Sequence, residues 1–218
     1  MKKRLFLASG SAGRKDLLTD SLISFEVIDQ TADESQISLD APLQKVVQDV
    51  AQLKMAHVIL PDDLEVDQEI FILTADTLTV GADGRFLGKP TSRAHAVEMI
   101  IGHRGRLTLT GTGFCLEKRI CVRGVWKVEK RILGYGEGYC SFEVADEHID
   151  FYLDQIPFLS VSGAVALAAG YFSQQFVREI QGSYTAIIGL PLFEVREALE
   201  AVGFFNPYKS ALFKFRAQ

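Results

Sequence analysis

The residues best suited to phosphate chemistry lie near the start of the chain. Ser9 and Ser11 offer hydroxyls, Gly10 and Gly13 permit a close backbone approach, and Arg14 adds a positive charge. They separate a short apolar segment from one with helical character, so we expect a loop at a helix N-terminus, where backbone N–H groups favour anions. Such a loop suits a triphosphate. A strand, a glycine-serine loop and a helix are common in α/β proteins, so an ordinary connecting loop is an equally good interpretation.

One aspartate, Asp76, lies two residues after the segment 69–74, which is mostly apolar. We expect it at the carboxyl end of a strand, where open α/β sheets present ligand-binding groups. A carboxylate at that position could hold Mg²⁺ or act as a general base toward water. The alternative is an aspartate that caps a turn, and this position alone does not separate the two interpretations.

Four further charged residues complete the candidate set: Asp33, Glu34, Lys54 and Lys89. If these carboxylates and lysines converge, they form a metal-assisted phosphoanhydride site. Water would be activated by the metal or by a carboxylate, and lysine would neutralise phosphate charge. Their spacing does not show convergence, and for each residue in isolation a solvated surface charge is the simpler interpretation.

Other tempting features indicate structure rather than chemistry. Residues 134–138 resemble a glycine-rich nucleotide loop, but no helix follows them, so strand or hairpin glycines are the better interpretation. His57 falls on the apolar stripe of a predicted helix and is expected to be a satisfied core histidine. The three cysteines have no C-x-x-C spacing and favour buried thiols over a disulfide framework or a zinc site.

The composition is that of a globular protein in the cytoplasm. With 218 residues, 48% of them apolar and 23% charged, we expect residues 1–218 to form a single domain. The net charge of −5 argues against binding to a nucleic-acid backbone. The apolar run after the basic start is too short for an export signal, and no stretch approaches the roughly 20 apolar residues of a membrane helix.

Strands and helices are predicted to alternate at both ends of the chain, around a β-rich centre arranged as an antiparallel meander. The predicted strands are residues 4–8, 24–29, 69–74, 107–117, 121–130, 132–143 and 186–189. The predicted helices are residues 14–20, 43–60, 93–101, 146–153, 176–180 and 191–202, with Ser92 as the N-cap of the third and Gly203 ending the last.

Several motifs, in order, resemble the Maf-like nucleoside triphosphate pyrophosphatases, a family first associated with inhibition of septum formation. The segment LASGSAGRKDLL resembles LASxSPRRxELL, and VAQLKMA resembles LAxxKA. Asp33-Glu34 falls where the family has an acidic DE, while LTADT and LGKP resemble GADT and LGKP. Near the C-terminus, REIQGSYTAIIGLPLFEVREAL resembles ERIEGDYxNVVGLPLxxLxxLL. The resemblance spans nearly the whole chain.

The resemblance implies a fold and an activity. The fold is α/β, of the Maf/ITPase-like kind, with a mixed, elongated, twisted sheet flanked by helices in two lobes around a central cleft. The activity is hydrolysis of a pyrimidine or modified nucleoside triphosphate to the monophosphate and pyrophosphate. It uses a divalent cation, Mg²⁺ or Mn²⁺, and the resemblance also suggests a homodimer.

The resemblance carries roles onto seven positions of this sequence. Three residues of the first motif would hold phosphates: Ser9, Ser11 and Arg14. Lys54 and Lys89 would contact the triphosphate. Glu34 and Asp76 would serve metal binding and water activation, with Asp76 as the central catalytic carboxylate.

The chain also departs from the family pattern. Ala12 and Gly13 stand where the family has a proline and an arginine, which removes a phosphate-binding cation and loosens the loop. Residues 161–170 read VSGAVALAAG in place of a KAGAYxIQ-like segment, without its lysine and glutamine, and Ala186 replaces an asparagine. The family's histidine-containing stretch appears as GHRGR, with an offset at His103. These losses predict slower turnover or a changed substrate.

Two other functions remain open. The missing lysine and glutamine would also fit a nucleotide-binding regulatory protein that has lost turnover and acts through partners, for example in septum formation. A nucleic-acid-binding module is disfavoured by the negative charge and by the absence of a basic stripe.

Overall fold

The computed structural model describes residues 3–65, 68–167 and 171–205. The described strands are β1 Lys3–Leu7, β2 Glu26–Val27, β3 Glu69–Val80, β4 Phe86–Leu87, β5 Leu107–Val122, β6 Val125–Phe142 and β7 Val177–Gly182. The described helices are α1 Ala12–Asp20, α2 Leu43–Ala56, α3 Arg93–His103, α4 Asp146–Asp154, α5 Tyr171–Gln174, α6 Tyr184–Ile188 and α7 Leu192–Ala201. Short 3₁₀ turns lie at Glu34–Gln36, Phe158–Ser160 and Ser162–Ala164.

The seven described strands form one mixed sheet. Its order is β2-β1-β3-β5-β6-β7, and β4 pairs with the far end of β3. The β2, β1 and β3 strands run parallel, whereas β3, β5, β6 and β7 run antiparallel. The predicted mixed sheet flanked by helices is therefore confirmed.

The prediction that β3 ends before Asp76 is wrong, because the strand continues to Val80. Its parallel neighbour β1 stops opposite Leu73, which is where the apolar run of β3 also ends. On the other side of β3, the strand β5 pairs with every residue of β3, from Glu69 to Val80. This second ladder holds the polar residues of β3 in strand conformation.

The central meander has two long strands instead of the three predicted. β5 and β6 pair from Leu107 to Ser141 through a two-residue turn at Arg123 and Gly124, both of which have positive φ. A run of charged residues breaks the apolar alternation near residue 130, but the backbone ladder continues across it. The glycines of residues 134–138 lie in β6, as predicted.

Two predictions near the C-terminus are wrong. Residues 176–180 were predicted to be helical, but Val177–Gly182 forms β7, an edge strand that pairs with β6. Residues 186–189 were predicted to be a strand, but Tyr184–Ile188 forms α6, whose first turn is capped by Ser183. A short apolar run has the same appearance in a buried strand and a buried helix, so periodicity does not separate them.

The remaining predicted helices are confirmed, with one correction at the end of α2. Periodicity predicts a helix to residue 60, but α2 ends at Ala56, and His57 is therefore exposed instead of buried in the core. Its Nδ1 lies 2.9 Å from the carbonyl oxygen of Leu53. Ser92 caps α3 as predicted, its Oγ accepting the His95 N–H at 3.1 Å.

The buried side chains form clusters at both ends of the long strands. At one end, α1 and α7 pack on one face of β1, β3 and β5, in a cluster that includes Leu18, Phe71 and Leu199. α2 covers the opposite face, around Met55. At the other end, α3 and α4 pack on β6 around Tyr152. Among the described residues, no helix is both long and apolar enough to cross a membrane.

Candidate active site

Six of the seven sequence-predicted site residues, all except Lys89, lie around a gap in the sheet beside β3. On the side of β3 opposite β5, β1 ends opposite Leu73, and β4 begins its pairing only at Thr79. The Ala8 N–H, just past β1, donates to the Leu73 carbonyl at 2.9 Å. Within the described parts of the chain, residues 74–78 therefore have no strand next to them on this side. We call residues 74–78 the open edge.

On the α2 face of the open edge, one lysine joins two carboxylates. The Lys54 Nζ lies 2.7 Å from the Asp76 Oδ1 and 3.0 Å from the Glu34 Oε1. Lys54 and Asp76 are each only 8% exposed, whereas the Glu34 side chain is half exposed. A buried ammonium needs a close counter-charge, and Asp76 supplies it. The interpretations of Asp76 as a turn cap and of Lys54 as a solvated surface charge are therefore wrong.

Helix α2 reaches this position because β5 has no side chain opposite Asp76. Gly113 pairs with Asp76, and a Cβ on Gly113 would lie 2.7 Å from the backbone of Val47 and Gln48 in α2. The helix therefore packs directly on the sheet backbone. The Thr74 hydroxyl also donates to the Ala51 carbonyl at 2.7 Å, one turn before Lys54. These two contacts fix the distance between helix and strand that Lys54 must span.

On the other face of the open edge lies the loop between β1 and α1. Ser11 is the N-cap of α1, with its Oγ 3.5 Å from the Arg14 nitrogen. The Ser9 Oγ accepts the Ser11 N–H at 3.3 Å and a guanidinium N–H of Arg14 at 2.9 Å. The loop is therefore ordered by its own side chains, and the N-terminus of α1 favours anions here.

Arg14 connects this loop to the sheet and to α6. It is 7% exposed, and it donates to the Gly189 carbonyl at 2.8 Å and to the Thr77 Oγ1 at 3.0 Å. Burial lowers the pKa of the Arg14 guanidinium, while the charges of Asp76 and Glu34 act in the opposite direction. A guanidinium has five N–H donors, and Arg14 uses three of them on protein atoms, so donors remain for a phosphate.

Lys89 is the one predicted site residue that makes no contact with these two groups. It lies exposed in the loop between β4 and α3, and no side-chain partner for it occurs among the described residues. The loop is fixed to the segment that departs from the family pattern, because the Gly163 N–H donates to the Gly88 carbonyl at 3.0 Å. That departing segment is described only as far as Leu167, and residues 168–170 lie outside the described residues.

The donor set fits a hard divalent cation that substrate phosphates help to bind. Within residues 3–65, 68–167 and 171–205, no three His, Cys, Asp or Glu side chains come together as a metal cluster. Glu34 and Asp76 nevertheless each place an oxygen within 3.0 Å of the same ammonium nitrogen. Magnesium is typically held by one or two carboxylates, with phosphates and water completing the shell. The two carboxylates suit that mode of binding.

Sequence reasoning missed a second row of residues that positions Arg14. The Thr77 Oγ1 lies 2.8 Å from the Thr112 Oγ1, and Thr112 donates to the Ala186 carbonyl at 2.7 Å. Ala186, at the position of the family's asparagine, therefore takes part through its backbone. The only available signal was that Thr77 follows Asp76 directly. The pairing with Thr112 depends on strand register, which a single sequence does not show.

Comparison with known proteins finds relatives that match nearly the whole chain. It is 33% identical to a dTTP/UTP pyrophosphatase of Syntrophus aciditrophicus over 206 residues, covering 93% of this chain and 92% of the relative. It is 31% identical to a dTTP/UTP pyrophosphatase of Bacillus cytotoxicus, covering 87% and 91%. It is 30% identical to one of Acinetobacter baylyi, covering 92% and 100%.

The match extends through the fold just described. Residues 4–202 match the family described as Maf-like protein, from β1 through α7. This range includes the open edge and the loop before α1. It also includes Lys54 with its two carboxylate partners, and the loop that carries Lys89. The expectation drawn from the sequence motifs is thereby confirmed, and the chain belongs to the Maf-like protein family.

Proposed function

We propose that this protein hydrolyses a pyrimidine nucleoside triphosphate, dTTP or UTP, to the nucleoside monophosphate and pyrophosphate with a divalent cation. Family membership and full-length relatives make it an enzyme of the hydrolase class that acts on acid anhydrides. The proposed substrates are those in the names of the relatives. The observation that carries the proposal is the placement of Lys54, Asp76 and Glu34 on one face of the open edge and Arg14 on the other.

The triphosphate would bind between these two groups. The N-terminus of α1, with Ser9 and Ser11, offers hydroxyls and backbone N–H groups, and Arg14 offers its remaining guanidinium donors. Lys54 would contact the phosphates from the opposite face. Lys89 is an exposed cation two residues after β4, which pairs with the end of β3, and its long side chain suits a contact with the outer phosphates.

Glu34 and Asp76 are the residues that would hold the cation. When bound, a divalent cation supplies charge neutralisation to the phosphates and polarises the bond that breaks. Lys54 contributes a further fixed positive charge beside the same carboxylates. This charge stabilises the negative charge that develops on the leaving pyrophosphate.

Asp76 is the proposed general base. Its carboxylate is held in one orientation by Lys54 and can accept a proton from a water molecule next to the α-phosphate. The water oxygen bonds to the α-phosphorus while the bond from that phosphorus to the bridging oxygen breaks. The bridging oxygen leaves with pyrophosphate, and the products are the monophosphate and pyrophosphate.

The proposal also covers the domain organisation, the location and the assembly of the protein. The described strands form one continuous sheet, which supports a single nucleotide-binding domain over residues 1–218. A cytoplasmic location agrees with the free thiols of all three cysteines. A homodimer and a role in septum formation stay predictions from the family resemblance.

The test is pyrophosphate release from a panel of nucleoside triphosphates with Mg²⁺ or Mn²⁺, comparing wild type with Asp76→Asn. We expect release from UTP or dTTP, and a loss of about 100-fold or more in the variant because the general base and one cation ligand are removed together. Asn keeps a hydrogen-bond acceptor for Lys54, and a melting curve of the variant controls for folding.

Two results would contradict the proposal. If Asp76→Asn keeps wild-type turnover, Asp76 is not the catalytic carboxylate. If wild type releases no pyrophosphate from any nucleotide while one nucleotide raises its melting temperature, the protein is a binder without turnover.

A further inference from the structure

A cavity with both polar and apolar walls lies next to the proposed triphosphate site, on the Arg14 face of the sheet. Its volume is about 60 Å³, and its lining includes Thr79, His103, Arg106, Thr108, Thr110 and Ile187. None of these residues belongs to the triphosphate site described above. The cavity is therefore a separate feature that needs its own explanation.

We infer that this cavity receives the base edge of a uracil or thymine nucleotide, and that Arg106 and Thr108 determine the preference for that base. The inference rests on the proposed function and deepens it, because it assigns residues of this chain to recognition of the base. It uses the location of the cavity, its hydrogen-bonding groups and its size.

The cavity continues the row of residues that holds Arg14. Thr77, which binds Arg14, and Thr79, which lines the cavity, are alternate residues of β3 and face the same side, about 7 Å apart. Thr112 and Thr110 repeat this relationship in β5. The cavity thus begins one step along the sheet from the phosphate-binding arginine, where the nucleoside part of a bound nucleotide would extend.

Arg106 supplies an unused cation at the cavity. Within the described part of the chain, its guanidinium makes no ion pair or side-chain hydrogen bond. Uracil and thymine present two carbonyl oxygens, and a guanidinium donates to such oxygens. Cytosine places an amino group, a donor, where these bases have the O4 carbonyl, so two donors would face each other.

Thr108 supplies the complementary acceptor. Its hydroxyl donates to the Cys140 carbonyl at 3.2 Å, so its lone pairs remain free to accept. Uracil and thymine carry an N–H between their two carbonyls that can donate to this oxygen. The equivalent nitrogen of cytosine is an acceptor and finds no proton there.

Thr79 and Thr110 can satisfy the remaining carbonyl. Their hydroxyl oxygens are 2.9 Å apart, and one hydroxyl donates to the other. The proton of the accepting hydroxyl is left available for the second carbonyl of the base. The set of donors and acceptors therefore matches the edge of uracil or thymine, group by group.

The size and walls of the cavity favour a single ring. Apolar contacts come from Leu87, Phe142 and Ile187. A volume of about 60 Å³ holds only a few water molecules. It suits the edge of one pyrimidine ring better than the two fused rings of a purine. Gly163 also lines the cavity, and its N–H fixes the Lys89 loop at the rim.

The test measures kcat and KM for UTP, dTTP and CTP in wild type and in Arg106→Gln, Thr108→Val and Arg123→Gln. Arg123 is exposed in the turn between β5 and β6, so Arg123→Gln is the control: it also replaces one exposed arginine by glutamine, but away from the cavity. We expect Arg106→Gln to raise KM for UTP about tenfold, with kcat nearly unchanged, and to reduce the UTP-to-CTP ratio of kcat/KM by a similar factor. Thr108→Val should also lower this ratio, whereas Arg123→Gln should not.

Failure of this inference is distinguishable from failure of the proposed function. If wild type releases pyrophosphate but Arg106→Gln and Thr108→Val leave the UTP-to-CTP ratio unchanged, the base inference is wrong and the hydrolase proposal stands. If wild type shows no turnover, the same variants are compared by calorimetric binding of UMP and CMP. A wild-type preference for UMP that is lost in Arg106→Gln supports the inference, and equal binding of the two by wild type overturns it.

Discussion

At the residue scale, the central feature of this protein is a buried ammonium between two carboxylates. Lys54 is nearly inaccessible and binds both Asp76 and Glu34. Removing either charge of the buried Lys54–Asp76 pair outright would leave the other uncompensated, which is costly in a buried position. A neutral amide at position 76 also removes the charge, but it keeps a hydrogen-bond acceptor for Lys54, whose ammonium still pairs with Glu34. Asp76→Asn is thus a sharper test of chemistry than Asp76→Ala.

The residue-scale prediction concerns His103, which lines the cavity beside Thr79 and Thr110 and packs against Gly81. Burial lowers the pKa of His103 below its ordinary value of 6.5; the nearby Asp83 opposes this shift and Arg106 adds to it. The folded protein therefore binds fewer protons at this site than the unfolded chain does once the pH falls below about 6.5. The neutral His103 therefore stabilises the folded protein above about pH 6.5, and this contribution is lost as the pH falls from there through the lowered pKa of the folded state.

His103→Gln removes this titration. We expect the melting temperature of wild type to fall relative to that of His103→Gln when the pH is lowered from about 8 to about 5.5. Thermal melts of both proteins at each pH provide the measurement. A difference in melting temperature that does not depend on pH would show that the imidazole is not held in its neutral form.

At the element scale, the approach of α2 to the sheet depends on a missing side chain. Gly113→Ala places a Cβ 2.7 Å from backbone atoms of Val47 and Gln48, which can yield only if the helix moves. We expect a loss of about 1–3 kcal/mol in the free energy of unfolding. Pyrophosphate release should fall as well, because Lys54 moves away from Asp76. Urea unfolding and the release assay measure the two effects.

Gly102→Ala is the matched control for this prediction. Gly102 lies in α3, and a Cβ there meets no heavy atom within 4 Å. Alanine is favoured over glycine in helices, so this change should raise the stability by up to about 1 kcal/mol. Equal effects of the two substitutions would contradict the role assigned to Gly113.

At the scale of the whole molecule, the long antiparallel ladder of β3, β5 and β6 joins the two packed ends of the protein. The open edge lies where the parallel part of the sheet, with β1, stops and the antiparallel part continues. The proposed ligand groups come from several elements and meet at this transition, because loops at the ends of parallel strands collect there.

The prediction at this scale concerns the accessibility of the three free thiols. Cys115 and Cys140 are buried in β5 and β6, and burial raises their pKa values to about 12 and about 11. Cys121 is partly exposed near the hairpin tip. A thiol reagent at neutral pH should label one cysteine rapidly in the native protein and all three after denaturation.

Mass spectrometry of the labelled peptides identifies the reactive thiol. We expect label on Cys121, and its replacement by serine should abolish fast labelling without changing the melting temperature by much. Rapid labelling of Cys115 in the native state would mean that the β3–β5–β6 ladder opens under native conditions.

The sequence by itself determined the local parts of this protein. The strand, loop and helix around Ser11, the N-cap of α3 at Ser92 and the amphipathic helix α7 follow from capping and from periodicity over a few residues. The ordered motifs also identified the family, because they required only residue types in a fixed order.

Only the tertiary structure decided the rest, because it depends on pairing between distant segments. Asp76 lies within a strand because β5 pairs with it from Gly113, and Lys54 reaches it because Gly113 lets α2 pack on the sheet. Pairing with β6 makes residues 177–182 a strand, although the local pattern of residues 176–180 predicted a helix. Each of these outcomes is fixed by register and packing across many residues, which local propensity does not encode.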